Sequence, residues 1–443
     1  MRLRTICALS LVLAVGCNEV EERLSWSPDG KQAVLRVDNE LYLMDTDGKF
    51  SAVVASNVTG AAWLPDSRGL VLTRLLTVDK WKDAESLLPP GEIEACETQA
   101  RGFLALGADG MEQFELKRPE LASAAVLYLF DTQSNALHEA LQKSKDPAKL
   151  EADLSNARTT QVAEVSVLLL AGKQPRVIER TLTALRQPQP SPMAPVVAFQ
   201  RGEVLTVAPL DGSTNRVTVT DKLLGECGWT RDGRALVYAA RVSDKESSEI
   251  ILASINQLSV IDTNGALLVG EKQPLAVNAS TFAPRVRGLP DGRILFAGVP
   301  LQLPSPTMAA SSARFYFTDP ALGTNAAPTA LPGAAGALPQ DLAAFAPSPD
   351  GRQIAIVERG SDSVAVLEAA TGKLQIVSPN RGWKSKILPA WRGSDELYFA
   401  SLPESSTNRP ELFRWHKGST PVAISTNWPD SVVNSLLEKP SKK

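Results

Sequence analysis

The chain has 443 residues, a formal net charge of −3 and 21% charged residues. This charge balance gives no electrostatic basis for binding nucleic acid, which calls for a strongly basic surface. The hydrophobic content of 44% is ordinary for a soluble globular protein. The length is sufficient for two or three average domains or for one long repeat fold.

The first 17 residues have the pattern of a secretory signal. Arg2 and Arg4 form a basic start, residues 6–15 are a short apolar stretch, and small residues precede Cys17. The apolar stretch is too short to remain as a membrane-spanning helix. We therefore predict that residues 1–17 are a signal peptide and that the folded protein begins after it.

Cys17 makes this segment resemble a bacterial lipoprotein signal. The resemblance implies cleavage before Cys17 and lipid on this residue, although Ala14 stands where Leu is usual and Leu13 lies one place early. Asn18 follows the cysteine, which by resemblance to enterobacterial sorting favours the outer membrane. The domain would then face the periplasm or the cell surface. The alternative is an ordinary signal peptide with an incidental cysteine.

The rest of the chain is organised around one repeated turn. Its clearest form is Trp26-Ser27-Pro28-Asp29-Gly30, within residues 24–35. Pro, Asp and Gly favour a tight turn, and the short apolar runs beside it are rich in strand formers. We expect a strand on either side of each turn. Altered copies occupy residues 62–72, 191–199, 228–238, 287–296, 345–356 and 390–399.

Several copies continue into a third strand that ends in an acidic residue and a turn, followed by a fourth strand. Residues 41–48, 258–265 and 364–372 are third strands of this kind, and residues 51–54 and 374–377 are fourth strands. Four strands at a period of a few tens of residues are typical of a β-propeller blade. We predict an all-β fold, a β-propeller of seven blades, with six or eight as alternatives.

The repeated turn and the third strand Leu41-Tyr42-Leu43-Met44-Asp45 resemble the TolB-type (WD-repeat-like) β-propellers of bacterial envelopes. The resemblance covers most of residues 20–427. It implies the propeller fold and a place in the cell envelope. It implies no activity, because such blades also occur as accessory domains of peptidases and in other lipoproteins.

Residues 79–182 interrupt the repeat, and we predict a partly helical insertion in the second blade region. We expect a break at Pro89-Pro90, a helix over residues 136–154 that Pro147 kinks or splits, and a strand pair at 162–170 and 177–182. Residues 125–131 have the pattern of the displaced third strand of the second blade. The insertion would either carry a family-specific function or only cover the propeller.

Three further boundaries follow from the sequence. The propeller would extend over residues 18–427, with residues 187–195 as a Pro-rich connector. Residues 428–443 would form a C-terminal tail, in which residues 432–437 have the pattern of a small capping helix. A tail that docks on a partner is the alternative.

The sequence predicts no catalytic, metal-binding or cofactor-binding residue, and no cofactor. His138 and His416 are isolated, and the chain has no Gly-x-Ser-x-Gly nucleophile elbow. Cys96 and Cys227 are expected to be buried free thiols, with a disulfide as the alternative. The Asp45 turn resembles part of a calcium loop without its later ligands. We interpret the repeated aspartates as turn formers and the repeated tryptophans as packing between blades.

Two functions remain open at this stage. The first is a membrane-anchored, non-enzymatic interaction or scaffold module whose partners are envelope proteins. The second is a propeller enzyme, or a small-ligand or glycan-binding protein, that uses charged residues in the central channel. A third idea is that a partner completes the last blade by strand exchange.

Overall fold

The structure is a computed structural model that describes most of the chain. The described residues are 20–107, 119–144, 146–172, 174–242, 251–280, 285–301, 314–322, 327–331, 342–358, 363–378, 383–403 and 409–438. The predicted signal peptide with Cys17 lies outside them. Within these ranges, no helix has both the length and the apolar character needed to span a lipid bilayer.

The strands follow one another in sets of four, and in each set the strands neighbour one another in chain order. The first set is Leu24–Trp26 (β1), Gln32–Val37 (β2), Glu40–Asp45 (β3) and Phe50–Ser56 (β4). The second is Val58–Trp63 (β5), Gly69–Val78 (β6), Thr160–Leu169 (β7) and Arg176–Thr181 (β8). The third is Leu185–Pro190 (β9), Val196–Arg201 (β10), Val204–Pro209 (β11) and Val217–Thr220 (β12). The fourth is Leu223–Trp229 (β13), Ala235–Arg241 (β14), Ile251–Ser259 (β15) and Lys272–Ser280 (β16).

The later sets repeat the pattern. The fifth set is Val286–Gly288 (β17), Ile294–Pro300 (β18), Arg314–Thr318 (β19) and Thr329–Ala330 (β20), joined to the fourth by pairing of β16 with β18. The sixth is Leu342–Pro347 (β21), Gln353–Glu358 (β22), Val364–Glu368 (β23) and Leu374–Ser378 (β24). Lys384–Ser385 (β25) precedes the seventh set, which is Ala390–Arg392 (β26), Glu396–Ser401 (β27), Glu411–His416 (β28) and Val422–Ala423 (β29). The predicted all-β propeller fold is confirmed, and the blade number stays a prediction.

The repeated turns form for the reasons that the sequence suggests. The carboxylates of Asp29, Asp232 and Asp350 each accept a hydrogen bond from the backbone N–H two residues further on, at 3.1, 3.2 and 3.0 Å. Gly30 follows in the left-handed region with φ of 69°, and Ser67 adopts φ of 60° at the equivalent place. The interpretation of these aspartates as turn formers is confirmed.

The repeated tryptophans connect neighbouring first strands. The indole N–H of Trp63 donates to the carbonyl of Ser25 at 3.0 Å, that of Trp229 to Gln189 at 2.8 Å, and that of Trp391 to Ala346 at 2.9 Å. Each bond joins the first strand of one set to the first strand of the set before it. The predicted packing of tryptophans between blades is confirmed at these three places.

The last set meets the first. Arg392 donates from Nε to the carbonyl of Gly30 at 2.8 Å, and the ring of Trp26 lies 4.7 Å from that of Tyr398. Trp428, which follows the last set, donates from its indole N–H to the carbonyl of Gly48 at 2.7 Å. All four strands of the last set come from this chain, so this set needs no strand from a partner.

Strand direction defines two faces of the propeller. The start face is where first and third strands begin, and the turn face is where the first strands end in the Asp turns. On the turn face, Asp29 N–H donates to Ser67 Oγ at 3.1 Å, and Ser191 Oγ donates to the carbonyl of Gly233 at 2.9 Å. Turns of adjacent sets therefore contact one another on this face.

The described residues fall into two compact units. The propeller unit comprises residues 20–72, Val167–Arg176 and residues from 186 onward, and the insertion unit comprises Thr73–Ser166 and Val177–Leu185. The insertion unit contains the helices Trp81–Leu87 (α1), Pro90–Leu106 (α2), Pro119–Thr132 (α3), Ser134–Leu141 (α4) and Pro147–Asn156 (α5). The predicted helical insertion is confirmed.

Two prolines determine where helices of the insertion begin. Pro90 occupies the first turn of α2, and the predicted break at Pro89-Pro90 separates α1 from α2. Pro147 begins α5, where the side chain of Asp146 caps the helix by accepting from Lys149 N–H at 3.2 Å. The sequence predicted that Pro147 either kinks or splits this helix, and the structure shows the split.

Two strand assignments from the sequence need correction. Residues 125–131 do not form the third strand of the second set, since they lie in α3. This helix is apolar on opposite sides because Leu121 and Leu127 belong to one apolar cluster and Val126 and Leu129 to another. A helix buried on two sides has a continuous apolar run that resembles a strand. The third and fourth strands are β7 and β8, which is the strand pair predicted at 162–170 and 177–182.

The Pro-rich connector predicted at 187–195 is also wrong in part. Residues 185–190 form β9, the first strand of the third set, and only residues 191–195 form a turn. Pro188 and Pro190 are compatible with this strand because it lies at the edge of its sheet, where backbone donors on one side need no partner.

The tail folds onto the propeller unit. Asp430–Val433 (α6) is a short helix, and Leu437–Glu438 (β30) pairs with β25. Val433 and Leu436 are buried in the same apolar cluster as Trp26 and Tyr398. The small capping helix expected in this segment is therefore present, while residues 439–443 lie outside the described part.

Candidate functional site

The residues singled out in the sequence do not form a site. Cys17 lies outside the described residues. Cys96 and Cys227 are buried and form no disulfide, as expected, and burial raises the pKa of Cys227 to about 12. His138 lies in α4 and His416 ends β28. Across the described ranges, no group of three His, Cys, Asp or Glu side chains could hold a metal ion.

Charged side chains converge instead at the first strands of the fourth and fifth sets. Glu226 lies in β13 where the pairing with β14 shifts register, and the preceding Gly225 has φ of 68°. This irregularity displaces Glu226 from the regular ladder. A parallel bridge pairs Glu226 with Arg285, so the two residues lie side by side.

Glu226 is held between two arginines. Arg285 Nη1 lies 3.1 Å from Glu226 Oε1, and Arg287 Nη2 bonds to Oε2 of the same carboxylate. Burial would raise the pKa of Glu226, but the two guanidinium groups outweigh it and lower the pKa. Burial acts to lower the pKa of Arg287, but the carboxylates of Glu226 and Glu22 outweigh burial and raise this pKa. Glu226 is therefore ionised in the folded protein.

Backbone carbonyls occupy further donors of the arginines. Arg285 Nη2 donates to the carbonyl of Val20 at 3.2 Å, and Arg287 Nη1 donates to the carbonyl of Cys227 at 3.4 Å. Gln189 Nε2 donates to the same Cys227 carbonyl at 2.8 Å. The arrangement connects the third, fourth and fifth sets with the segment before β1, so its first role is to hold these strands together.

Glu22 is the accessible member of this group. Its side chain is exposed, yet desolvation by the surrounding protein raises its pKa, and the charge of Glu226 adds to this effect against Arg287 and Arg285. Within the described residues Glu22 makes no hydrogen bond or ion pair, so its oxygens are available to a ligand. We define Glu22, Glu226, Arg285 and Arg287 as the inner-strand cluster.

The chemistry of the inner-strand cluster is that of recognition. Arg285 and Arg287 are engaged by Glu226 and by carbonyl groups, which leaves Glu22 as the acceptor for a hydroxyl, an ammonium group or a proton. A carboxyl whose pKa is perturbed both by desolvation and by specific charged neighbours is a recognised indication of a functional site. One signal of this cluster is visible in the sequence. Arg287 lies four residues before the Asp of its turn, at the place where the first two copies have Ser25 and Ala62.

A groove on the turn face is a second feature of the propeller unit. It has a volume of about 410 Å³ and lies between the turns of the first and last sets. Its lining includes Asp29, Arg392, Asp395 and His416. The groove is open and polar, which suits contact with another macromolecule more than enclosure of a small molecule.

The insertion unit has its own buried charges. Glu164 is fully buried between Arg74 and Arg180, whose Nε lies 2.9 Å from Glu164 Oε2. Glu92 accepts hydrogen bonds from the hydroxyl of Thr181 and, at 2.7 Å, from the backbone N–H of Leu182. These carboxylates are fully engaged in joining strands and helices of the insertion.

No protein-family model matches this chain, and no curated protein matches it. Solved structures do resemble it. A puromycin hydrolase is 13% identical, with a TM-score of 0.50, and the match covers 98% of this chain and 56% of the hydrolase. TolB from Acinetobacter baumannii is 18% identical with a TM-score of 0.39, covering 58% of each chain. The β-propeller domain of Cps50 (Swd1) from Myceliophteria thermophila is 11% identical, with a TM-score of 0.44 and coverage of 92% and 96%.

The chain thus spans less than two thirds of the length of the puromycin hydrolase and of TolB. At these identities a structural match concerns the fold and not the activity. Together with the sets of four strands, the match to the hydrolase places this chain among the β-propellers.

Proposed function

We propose that this chain is a membrane-anchored, TolB-like propeller that acts as a non-enzymatic interaction or scaffold module in a bacterial envelope. Its anchor would be lipid on Cys17, its membrane the outer membrane, and its partners other envelope proteins. One observation carries the proposal. The carboxylates of Glu226 and Glu164 are each paired with two arginines, so they hold strands together and are not free for acid–base chemistry.

The turn face offers the surface for a partner. Its backbone groups are satisfied by the Asp side chains of the turns, which gives a rigid ring of short polar loops. The groove beside Asp395 and His416 lies in this ring. Loops on a rigid scaffold are the usual place for binding residues.

Site-specific photocrosslinking in living cells tests this function. A photoreactive amino acid would replace Asp395 on the turn face, Asn39 on the start face or Leu106 in the insertion, each exposed. We expect one or a few envelope proteins to be captured from one position, and only when Cys17 is present. Cys17→Ala, which cannot be lipidated, is the matched control. Failure to capture a specific protein from all three positions of a folded protein would contradict the proposal.

Glu22 supports a second candidate function, binding of a small polar ligand such as a glycan. Sugar hydroxyls are suitable donors for an accessible carboxylate that has arginines nearby. Calorimetric titration of short glycans would test it, with Glu22→Gln expected to abolish binding and Glu40→Gln, on another exposed carboxylate, expected to keep it. Equal binding by both variants would contradict a site at Glu22.

A further inference from the structure

The chain is fixed to the propeller from Val20 onward. Val20 is 5% exposed and packs in a cluster with Ala344 and Leu388. Its carbonyl accepts from Arg285, as described above. Glu21 N–H donates to the carbonyl of Lys386 at 3.1 Å, and Leu388 N–H donates to the carbonyl of Glu21 at 2.8 Å. These contacts leave no loose linker between residue 20 and β1.

The fixed segment lies at the start face. Lys386 and Leu388 come just before β26, and Arg285 comes just before β17, so each contact is made where a first strand begins. The chain therefore reaches Val20 beside the inner strands of the start face. It does not reach it from the outer edge of a blade or from the turn face.

The remaining distance to Cys17 is short. Two residues, Asn18 and Glu19, lie between Cys17 and Val20, so three Cα-to-Cα steps join them and span at most about 11 Å. The fourth strand of a set lies three strand spacings, about 14 Å, further out than the first. The turn face is a whole first strand away. A lipid on Cys17 thus remains near the middle of the start face.

We propose that the start face is turned toward the lipid bilayer and that the turn face points away from it. This orientation rests on the proposed lipidation of Cys17. It gives the two faces different roles, because the turn face, with the groove beside Asp395, stays open to partners that approach from the aqueous side.

Exposed apolar side chains on the start face fit a lipid surface. Val242 and Leu252, at the ends of β14 and β15, are 50% and 39% exposed, and Leu301 after β18 is 38% exposed. Side chains of this kind can enter the interfacial region of a bilayer. The turn face also exposes Met193 and Val269, so apolar exposure alone would fit either face. The length of the tether decides between them.

A pair of labels on the first set measures the orientation. Asn39→Cys lies between β2 and β3 on the start face, and Asp47→Cys lies between β3 and β4 on the turn face. Each lipidated variant would be spin-labelled and reconstituted into vesicles of phosphatidylethanolamine and phosphatidylglycerol that carry a nickel-chelating lipid. The buried Cys96 and Cys227 do not compete for the label.

We expect several-fold stronger relaxation by the nickel lipid at position 39 than at position 47. A flexible Gly-Ser insertion between Asn18 and Glu19 should abolish this difference while the protein still floats with the vesicles. Flotation separates the two proposals. If flotation depends on Cys17 but position 47 is relaxed as strongly as position 39, the orientation is wrong and the anchor stands. If Cys17→Ala floats as well as the unchanged protein, or neither floats, lipid anchoring is wrong and the orientation falls with it.

Discussion

Glu164 and Glu226 each lie between two arginines, and the two arrangements differ in what they join. In the insertion unit, Glu164 on β7 pairs with Arg74 on β6 and Arg180 on β8, all neighbouring strands of one set. In the propeller unit, Glu226 joins first strands of two different sets. The first arrangement involves strands of one set only, whereas the second has the accessible Glu22 beside it.

The difference shows how a structural ion cluster can be distinguished from a candidate site. Burial and pairing are common to both arrangements and indicate only that charge is neutralised inside the fold. The inner-strand cluster differs in having an additional, accessible carboxyl, that of Glu22, to which a ligand can bind. The following changes test this distinction, from the largest expected effect to the smallest.

Glu164→Gln should cause the largest loss of stability. The change leaves Arg74 and Arg180 without their shared carboxylate, and removing one partner of a buried ion pair costs about 3 kcal/mol in free energy of unfolding. Urea unfolding measures it. Glu97→Gln, which removes an exposed i,i+4 pair with Arg101, is the control and should cost less than about 0.5 kcal/mol. Equal losses in the two variants would contradict a structural role for Glu164.

Glu226→Gln should cost less, about 2 kcal/mol, because its arginines keep backbone carbonyl partners and the carboxylate is partly exposed. It should also lower the pKa of Glu22, since the charge of Glu226 raises that pKa. Urea unfolding and carboxyl ¹³C titration measure the two effects. An unchanged Glu22 titration would show that the two carboxylates do not interact.

Gln99→Leu should stabilise the protein by about 1 kcal/mol. Gln99 is 2% exposed in α2, and neither Oε1 nor Nε2 has a hydrogen-bond partner. Leucine removes this uncompensated burial with little change of volume. Thermal unfolding would show a raised midpoint, and Gln142→Leu at an exposed position should leave it unchanged. A lowered midpoint would indicate that Gln99 has a partner such as a bound water.

The smallest expected effect depends on pH. The pKa of Glu22 is raised above its ordinary value of 4.5, so the stability linked to its protonated form is present below that value. This stability is lost as the pH rises through the folded pKa. Glu22→Gln should therefore match the unchanged protein in acid and exceed its stability near neutral pH. Parallel pH profiles of the two proteins would contradict a perturbed Glu22.

The fold was largely accessible from the sequence because its determinants are local. A turn such as Trp26-Ser27-Pro28-Asp29-Gly30 contains its own hydrogen-bond acceptor and its left-handed glycine, so each copy can be recognised alone. The helix α3 was missed because its two-sided burial erases the helical period that a half-buried helix shows. Tertiary packing decides such cases, and the local sequence pattern does not reveal it.

The inner-strand cluster was not accessible in the same way. Glu22, Glu226, Arg285 and Arg287 come from three separate parts of the chain and share no spacing that marks a site. Only the ring of first strands brings them together. The register shift of β13 near Gly225 also depends on pairing with β14, which a single sequence does not reveal.

The closing contacts of the ring have a consequence for the order of folding. Trp428 bonds to Gly48 across 380 residues, and Arg392 bonds to Gly30 across 362 residues. Each four-stranded set can form from nearby residues. The first set, however, can contact the last set only after the last part of the chain has been synthesised. Contacts of such sequence separation slow folding. During that interval the apolar surface around Phe50, which later packs against Trp428, stays uncovered and open to aggregation.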